Sequence, residues 1–115
     1  MSDLLAQAVD RLSRVSGVRG AMVVETEAGV PVVAELREGV EGSAVAALAS
    51  SLFRRTHQAA RTAEFGNIGT LQLEAQAGHV IVANAGDLLV VVIAERGAQL
   101  GLVRLEAHQA AEALR

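Results

Sequence analysis

Residues 68–94 read IGTLQLEAQAGHVIVANAGDLLVVVIA, and this run decides the fold class. Leu71, Leu73 and Ala75 alternate with Gln72, Glu74 and Gln76, the period of two that marks a strand with one face in water. Three strands in close succession follow from it: Ile68 to Glu74, His79 to Ala85 and Leu88 to Ala94. Gly78 and the Gly86-Asp87 pair supply the tight turns, the second suiting a type II′ hairpin. Leu88 to Ile93 is apolar on both faces, which places that strand deep in the sheet.

Upstream of this meander, Ala44 to about Ala63 predicts a long Ala-rich helix, with Ser43 as its cap and Gly66 as its stop. Its apolar members Val45, Leu48, Ala49, Leu52, Phe53 and Ala60 are interrupted by Arg54, Arg55, His57 and Arg61. Before it, Ala21 to Thr26 and Val30 to Leu36 form a hairpin around Glu27-Ala28-Gly29, Gly29 taking the positive φ of a bulge position. Pro31 has no N–H for a ladder and belongs at a strand start or on an edge. From Asp3 to Ser16 the positions Leu4, Leu5, Ala8, Val9, Leu12 and Val15 make the stripe of an amphipathic helix, capped by Ser2 or Asp3 and ended by Gly17 and Gly20.

Downstream, Ala98 to Leu114 predicts a last helix with Leu102, Val103, Ala107, Ala110 and Leu114 on one side. Gly101 within it costs roughly 1 kcal/mol against Ala, which close packing or a later helix start would explain. The order is α-β-β-α-β-β-β-α. The expected fold is one α+β domain over residues 1–115, an antiparallel five-stranded sheet with helices on both faces.

Composition narrows the chemistry. The chain is 51% hydrophobic and only 2% aromatic, so Ala, Val and Leu must build a thin core, or one completed by a second copy. There is no Cys, which excludes disulfides, thiolate nucleophiles and Cys-ligated metals. All ten basic residues are Arg, so the phosphate loop that needs Gly-Lys-Ser/Thr and any Schiff-base lysine are excluded too; coding bias in a GC-rich genome would produce Arg without Lys.

The net charge of −3 is interspersed, without the basic stripe or stacking aromatics that nucleic-acid binding requires. The longest apolar run, Leu88 to Ala94, is far short of the roughly 20 residues of a membrane span. The start, Met1-Ser2-Asp3-Leu4-Leu5, lacks the basic region of a signal peptide. The expectation is therefore a cytoplasmic protein that neither enters membranes nor binds nucleic acid.

No catalytic constellation emerges. His57, His79 and His108 match no metal-ligand spacing and read as surface or helix-face residues. Glu25, Glu27, Glu35 and Glu38 flank the first hairpin as solvated charges, Asp87 sits in a turn, and no Ser lies in Gly-x-Ser-x-Gly. No cofactor or metal is implied, and the expectation is a non-enzyme. One cluster stands out: Arg54, Arg55, Gln58 and Arg61. Positions 54, 58 and 61 share a helix face, where guanidinium groups grip a partner's carboxylates or phosphates, unless they are a plain solvated helix end.

Several segments together resemble the roadblock / dynein light chain family, in its prokaryotic, Mgl-type branch known from bacterial gliding polarity. They are Val18-Arg19-Gly20-Ala21-Met22-Val23-Val24, the Glu27-Ala28-Gly29-Val30-Pro31 turn, and the helix from Ala44 to Arg61. Gly86-Asp87-Leu88-Leu89-Val90-Val91-Val92 and Gln99-Leu100-Gly101-Leu102-Val103-Arg104-Leu105 complete the match. The resemblance implies a homodimer in which two copies join sheets through the third strand and pack their middle helices side by side. Carried onto this chain, the seam is Ile68 to Glu74, with Ile68, Leu71 and Leu73, plus Ala46, Ala49, Ser50 and Phe53. It also implies a small Ras-like GTPase as partner, docked on the helical face, with Arg54, Arg55, Gln58 and Arg61 as the contact. The family's activator arranges the GTPase's own catalytic groups, so no catalytic residue is implied here. The alternatives are a structural dimerisation module of a larger complex, or a small-molecule sensor, against which the shortage of aromatic and convergent polar groups counts.

Overall fold

The computed structural model describes residues 2–115, with side chains from Asp3 onward. Its elements are α1 (Ser2–Ser13), β1 (Val18–Glu25), β2 (Pro31–Leu36), α2 (Gly42–Thr62), β3 (Thr70–Ala75), β4 (Gly78–Ala85), β5 (Leu88–Ala94) and α3 (Leu100–Leu114). This is the expected order. The five strands form one sheet, β2-β1-β5-β4-β3, and every neighbouring pair is antiparallel. β5, apolar on both faces, is central, while β3 and β2 are the edges.

One face of the sheet carries two helices. Leu5, Val9 and Leu12 of α1 and Val103, Ala107 and Ala111 of α3 pack on Ala21, Val23, Ile81, Val90 and Val92. The other face carries α2 alone, with Ala46, Ala49 and Phe53 seated on Met22, Val24, Val82, Leu89 and Val91. With so few aromatics, stability accumulates from many small side chains, about 1.5–3 kcal/mol for each Val or Leu fully buried. Among the described residues no helix is long and apolar enough to cross a membrane.

Several expected boundaries move, each for a local reason. α1 ends at Ser13 rather than Ser16, and β1 begins at Val18 rather than Ala21. Gly20 is not a helix terminator but a residue of β1: a Cβ there would lie 2.7 Å from Cδ2 of Leu36 and 3.4 Å from Cδ1 of Ile93, which fold over it. α1 already includes Ser2, so Asp3 lies in the first turn, where its charge complements the helix dipole; the Ser2 side chain is outside the described residues. The β1–β2 hairpin forms as expected, with Gly29 at φ +68 and Pro31 opening the edge strand beside a bulge at Val23/Val24.

Ser43 does not cap α2; the N-cap is Glu41, without a side-chain cap bond, and Ser43 is inside the helix. Nor does Gly66 stop it. Glu64 does, at φ +67, with the Glu64 N–H on the Arg61 carbonyl and the Phe65 N–H on the Ala60 carbonyl. This is the Schellman ending, with Glu where Gly is usual.

Gly78 is the first residue of β4 rather than part of the turn, and a Cβ on it would lie 2.5 Å from the Ala94 carbonyl oxygen. α3 starts later than Ala98, at Leu100, with Gln99 as N-cap, and Gly101 has no neighbour within 4 Å of where a Cβ would stand. Close packing therefore does not explain it. Leu102 is exposed, and Ala111 takes its expected place against the sheet.

Candidate partner-binding cleft

α2 runs over the sheet so that its second half stands beside two turns, the β1–β2 loop and Gly86-Asp87. Between them lies an open cleft. Arg54, His57, Gln58, Arg61 and Thr62 form the helical wall; Glu25, Thr26, Glu27, Gly86 and Asp87 form the opposite one, and Phe53, Asn84 and Leu88 line the rest.

The walls are tied together by directed bonds. Ser50 donates through Oγ to the Thr26 carbonyl at 2.7 Å and accepts from Nε of Arg54 at 3.4 Å. The Thr26 N–H donates to the Asp87 carbonyl at 3.0 Å, joining the two turns to each other. Asn84 donates from its side chain to the Ile68 carbonyl at 3.2 Å and accepts the Gly86 N–H at 2.9 Å. His57 stacks on Phe53, ring centroids 5.3 Å apart, and its Nδ1 accepts the Ile68 N–H at 3.3 Å. The Thr26 hydroxyl is buried beside the cleft without a hydrogen-bond partner.

The four predicted contact residues divide. Arg54, Gln58 and Arg61 line the cleft, whereas Arg55 is exposed elsewhere on α2. Among the described residues the ion pairs are Arg11–Glu106, Arg14–Asp10 and Arg115–Glu112, so none uses a cleft arginine. Two guanidinium groups about two helical turns apart, neither in an ion pair among the described residues, therefore face the Glu25, Glu27 and Asp87 side without closing on it. Charge-assisted contacts to a second molecule are available to both.

The predicted seam divides as well. Ala46, Ala49, Ser50 and Phe53 are buried against the chain's own sheet, 0–4% exposed, because they form the most apolar face of α2. The α2 surface left for another molecule is the opposite one, with Ala44, Ala47, Leu48, Ser51 and Arg55 at helical spacing. Ile68 lies before β3, not in it, held by His57 and Asn84. Leu71 packs toward α2, and Leu73 lies further along the β3 edge, partly exposed.

Of the histidines, His57 is a wall residue and His108 is exposed on α3, but His79 contradicts the surface expectation. It is 6% exposed, on the sheet face shared with Ile81 and Ala83, and its Nδ1 has no partner. Sequence reasoning also missed that Glu25, Glu27 and Asp87, read as scattered solvated charges, line one cleft. The only signal was that they sit in turns that an antiparallel order brings to one end of the sheet.

The pattern of the Roadblock/LC7 domain matches residues 4–94. A protein of uncharacterised function from Methanocaldococcus jannaschii is 28% identical over 90% of each chain, and a second from the same organism is 27% identical over 90% of each. Among solved structures, a Roadblock/LC7 domain from Streptomyces avermitilis superposes with a TM-score of 0.81 at 21% identity, over 100% of this chain and 94% of that one. The gliding protein MglB from Thermus thermophilus gives 0.84 at 20% identity, over 97% and 86%. MglB of Myxococcus xanthus gives 0.85 at 19%, over 99% and 93%.

Proposed function

The chain belongs to the Roadblock/LC7 domain family, and from that membership we propose a non-enzymatic, homodimeric regulatory or scaffold domain that binds a small Ras-like GTPase and modulates its nucleotide cycle or localisation. The observation that carries the partner reading is the cleft wall on which Arg54 and Arg61 project without an intrachain ion pair. Unpaired guanidinium groups at a docking surface favour encounter with an acidic face and confer register on it. The fold shared with MglB proteins, and the resemblance of the chain to Mgl-type regulators, supports a GTPase as that partner.

Dimerisation is supported by the β3 edge. β3 has hydrogen-bonded neighbours on one side only, and its α2-side residues lead into an apolar row, Leu73, Val80 and Ile93, that α2 leaves partly open. An exposed edge of this kind invites pairing with a second strand. With Ala46, Ala49, Ser50 and Phe53 engaged inside the chain, a second α2 would meet exposed Leu48 flanked by Ala47 and Ser51, whose small side chains permit close approach.

The test is incubation with the host's own Ras-like GTPase loaded with GTP, scoring complex formation and hydrolysis rate together. Binding with acceleration marks an activator, and binding without it a scaffold. No binding overturns the GTPase reading and leaves a structural dimerisation module. Light scattering after size exclusion checks the oligomer separately, with about twice the chain mass expected.

A further inference from the structure

The chain holds two phenylalanines, and the fold treats them oppositely. Phe53 is buried beneath α2, while Phe65 is 84% exposed. The backbone defines where Phe65 leaves the helix: Glu64 is in the left-handed region, and the Phe65 N–H is bonded to the Ala60 carbonyl. At this position of a Schellman ending an apolar side chain usually packs back onto the last turn. Here the ring stands in water, at the end of the sheet where β3 begins.

Toward the other end of the same edge lies an apolar surface that α2 covers only in part. Leu73 is opposite Val80 and Val80 opposite Ile93, so the three form one cross-strand row on the α2 face. All three are partly exposed, because α2 covers the neighbouring row of Val82, Val91 and Met22 instead.

We propose that Phe65 of one copy seats on the Leu73, Val80 and Ile93 row of a second copy, an anchor exchanged reciprocally across the dimer. This rests on the dimer reading above, with β3 pairing to β3. Antiparallel pairing sets the Thr70 end of one strand beside the Ala75 end of the other, and a two-fold axis perpendicular to the sheet keeps both α2 helices on one face. That operation carries the Phe65 end of each copy to the open-row end of its partner. The knob and the hollow belong to one chain and one edge, so the contact is self-complementary and closes at two subunits. Aromatic side chains, Phe among them, are enriched in the buried core of protein interfaces.

The absence of cysteine makes the contact directly readable. The Phe65→Cys and Val80→Cys variants, one carrying a mass tag, are mixed, allowed to exchange subunits and mildly oxidised. Expected are a mixed disulfide-linked dimer in excess over both like-with-like products, and a dimer dissociation constant raised about tenfold or more by Phe65→Ala. Phe65 is exposed, so its loss leaves the folded monomer intact. A wild-type dimer that gives no mixed product, and whose dissociation constant Phe65→Ala leaves unchanged, overturns the anchor and spares the dimer. A wild-type chain that stays monomeric at every concentration overturns both.

Discussion

The Ser50 hydroxyl donates to the Thr26 carbonyl across 2.7 Å, fastening α2 to the loop that forms the far wall of the cleft. Ser50 is 1% exposed, so Ser50→Ala leaves a carbonyl without its donor where water has little access. The expected loss is about 1–3 kcal/mol, the cost of an unmade buried bond rather than its small net value. Urea titration should show the midpoint falling with an unchanged slope. An unchanged midpoint would mean that water replaces the hydroxyl and that the cleft walls are only loosely joined.

Glu64 ends α2 at φ +67, a conformation that costs a residue with a Cβ about 1 kcal/mol or more and glycine little. Glu64 is exposed and makes no side-chain hydrogen bond or ion pair among the described residues. Glu64→Gly should therefore stabilise the fold by about 0.5–1 kcal/mol, offset partly by greater freedom of the unfolded chain. Thermal unfolding checks it; a lower midpoint would place a needed contact on the Glu64 carboxylate.

Element type and order were legible because each signal was local: period two in residues 70–75, a double-faced apolar run at 88–93, helical stripes at both ends. The roles of several glycines were not, because a sequence shows that Gly is present and not what stands beside it. Gly20 and Gly78 are demanded by side chains and backbone of strands remote in sequence. The cleft was legible by half. Helical spacing alone groups Arg54, Gln58 and Arg61, whereas Glu25, Thr26 and Asp87 meet them only through the sheet order β2-β1-β5. The resemblance grouped Ala46, Ala49, Ser50 and Phe53 as a seam between copies; they share one face of α2, but it is buried within the chain, because which surface a helix face meets is a tertiary fact.

Two glycines should respond oppositely to alanine. A Cβ at Gly101 meets nothing within 4 Å, and its position in the first turn of α3 favours a better helix former. Gly101→Ala should gain up to about 1 kcal/mol. Gly78 has φ +150 and no room, the Ala94 carbonyl oxygen lying 2.5 Å from the added atom. Gly78→Ala should cost several times that gain, by parting β4 from β5 at their end. Calorimetry of the pair decides it, and equal shifts would refute the close approach.

Aspartate substitutions at the β3 edge and under α2 should separate association from folding. Leu73 is partly exposed, so Leu73→Asp should give a folded monomer by light scattering with its circular dichroism retained. Phe53 is 4% exposed, and Phe53→Asp puts a carboxylate among Met22, Val82 and Val91. That loss of apolar packing plus an unpaired buried charge amounts to about 3–5 kcal/mol or more and should unfold the chain. A folded, dimeric Leu73→Asp variant would move the interface away from β3.

Charge reversal on α2 should discriminate between positions one residue apart. Arg54 and Arg61 line the cleft, and Arg55 does not. Replacing Arg54 and Arg61 together with Glu places four carboxylate-bearing residues around Asp87 and repels an acidic partner, while Arg55→Glu changes net charge in the same direction outside the cleft. Because none of these guanidinium groups holds an intrachain ion pair among the described residues, both variants should remain folded, and the double variant should retain the wild-type oligomeric state; light scattering of Arg55→Glu, which lies on the α2 surface open to a second copy, keeps any change of oligomer separate from partner binding. Binding to the host GTPase, measured by calorimetry, should weaken at least tenfold for the double variant and little for Arg55→Glu. The wild-type affinity should also fall as salt rises toward a Debye length of about 3 Å at 1 M, and the double variant should lose that dependence. Equal losses at position 55 and in the cleft would reduce the effect to net charge; a salt-independent interaction would place the partner on an apolar surface instead.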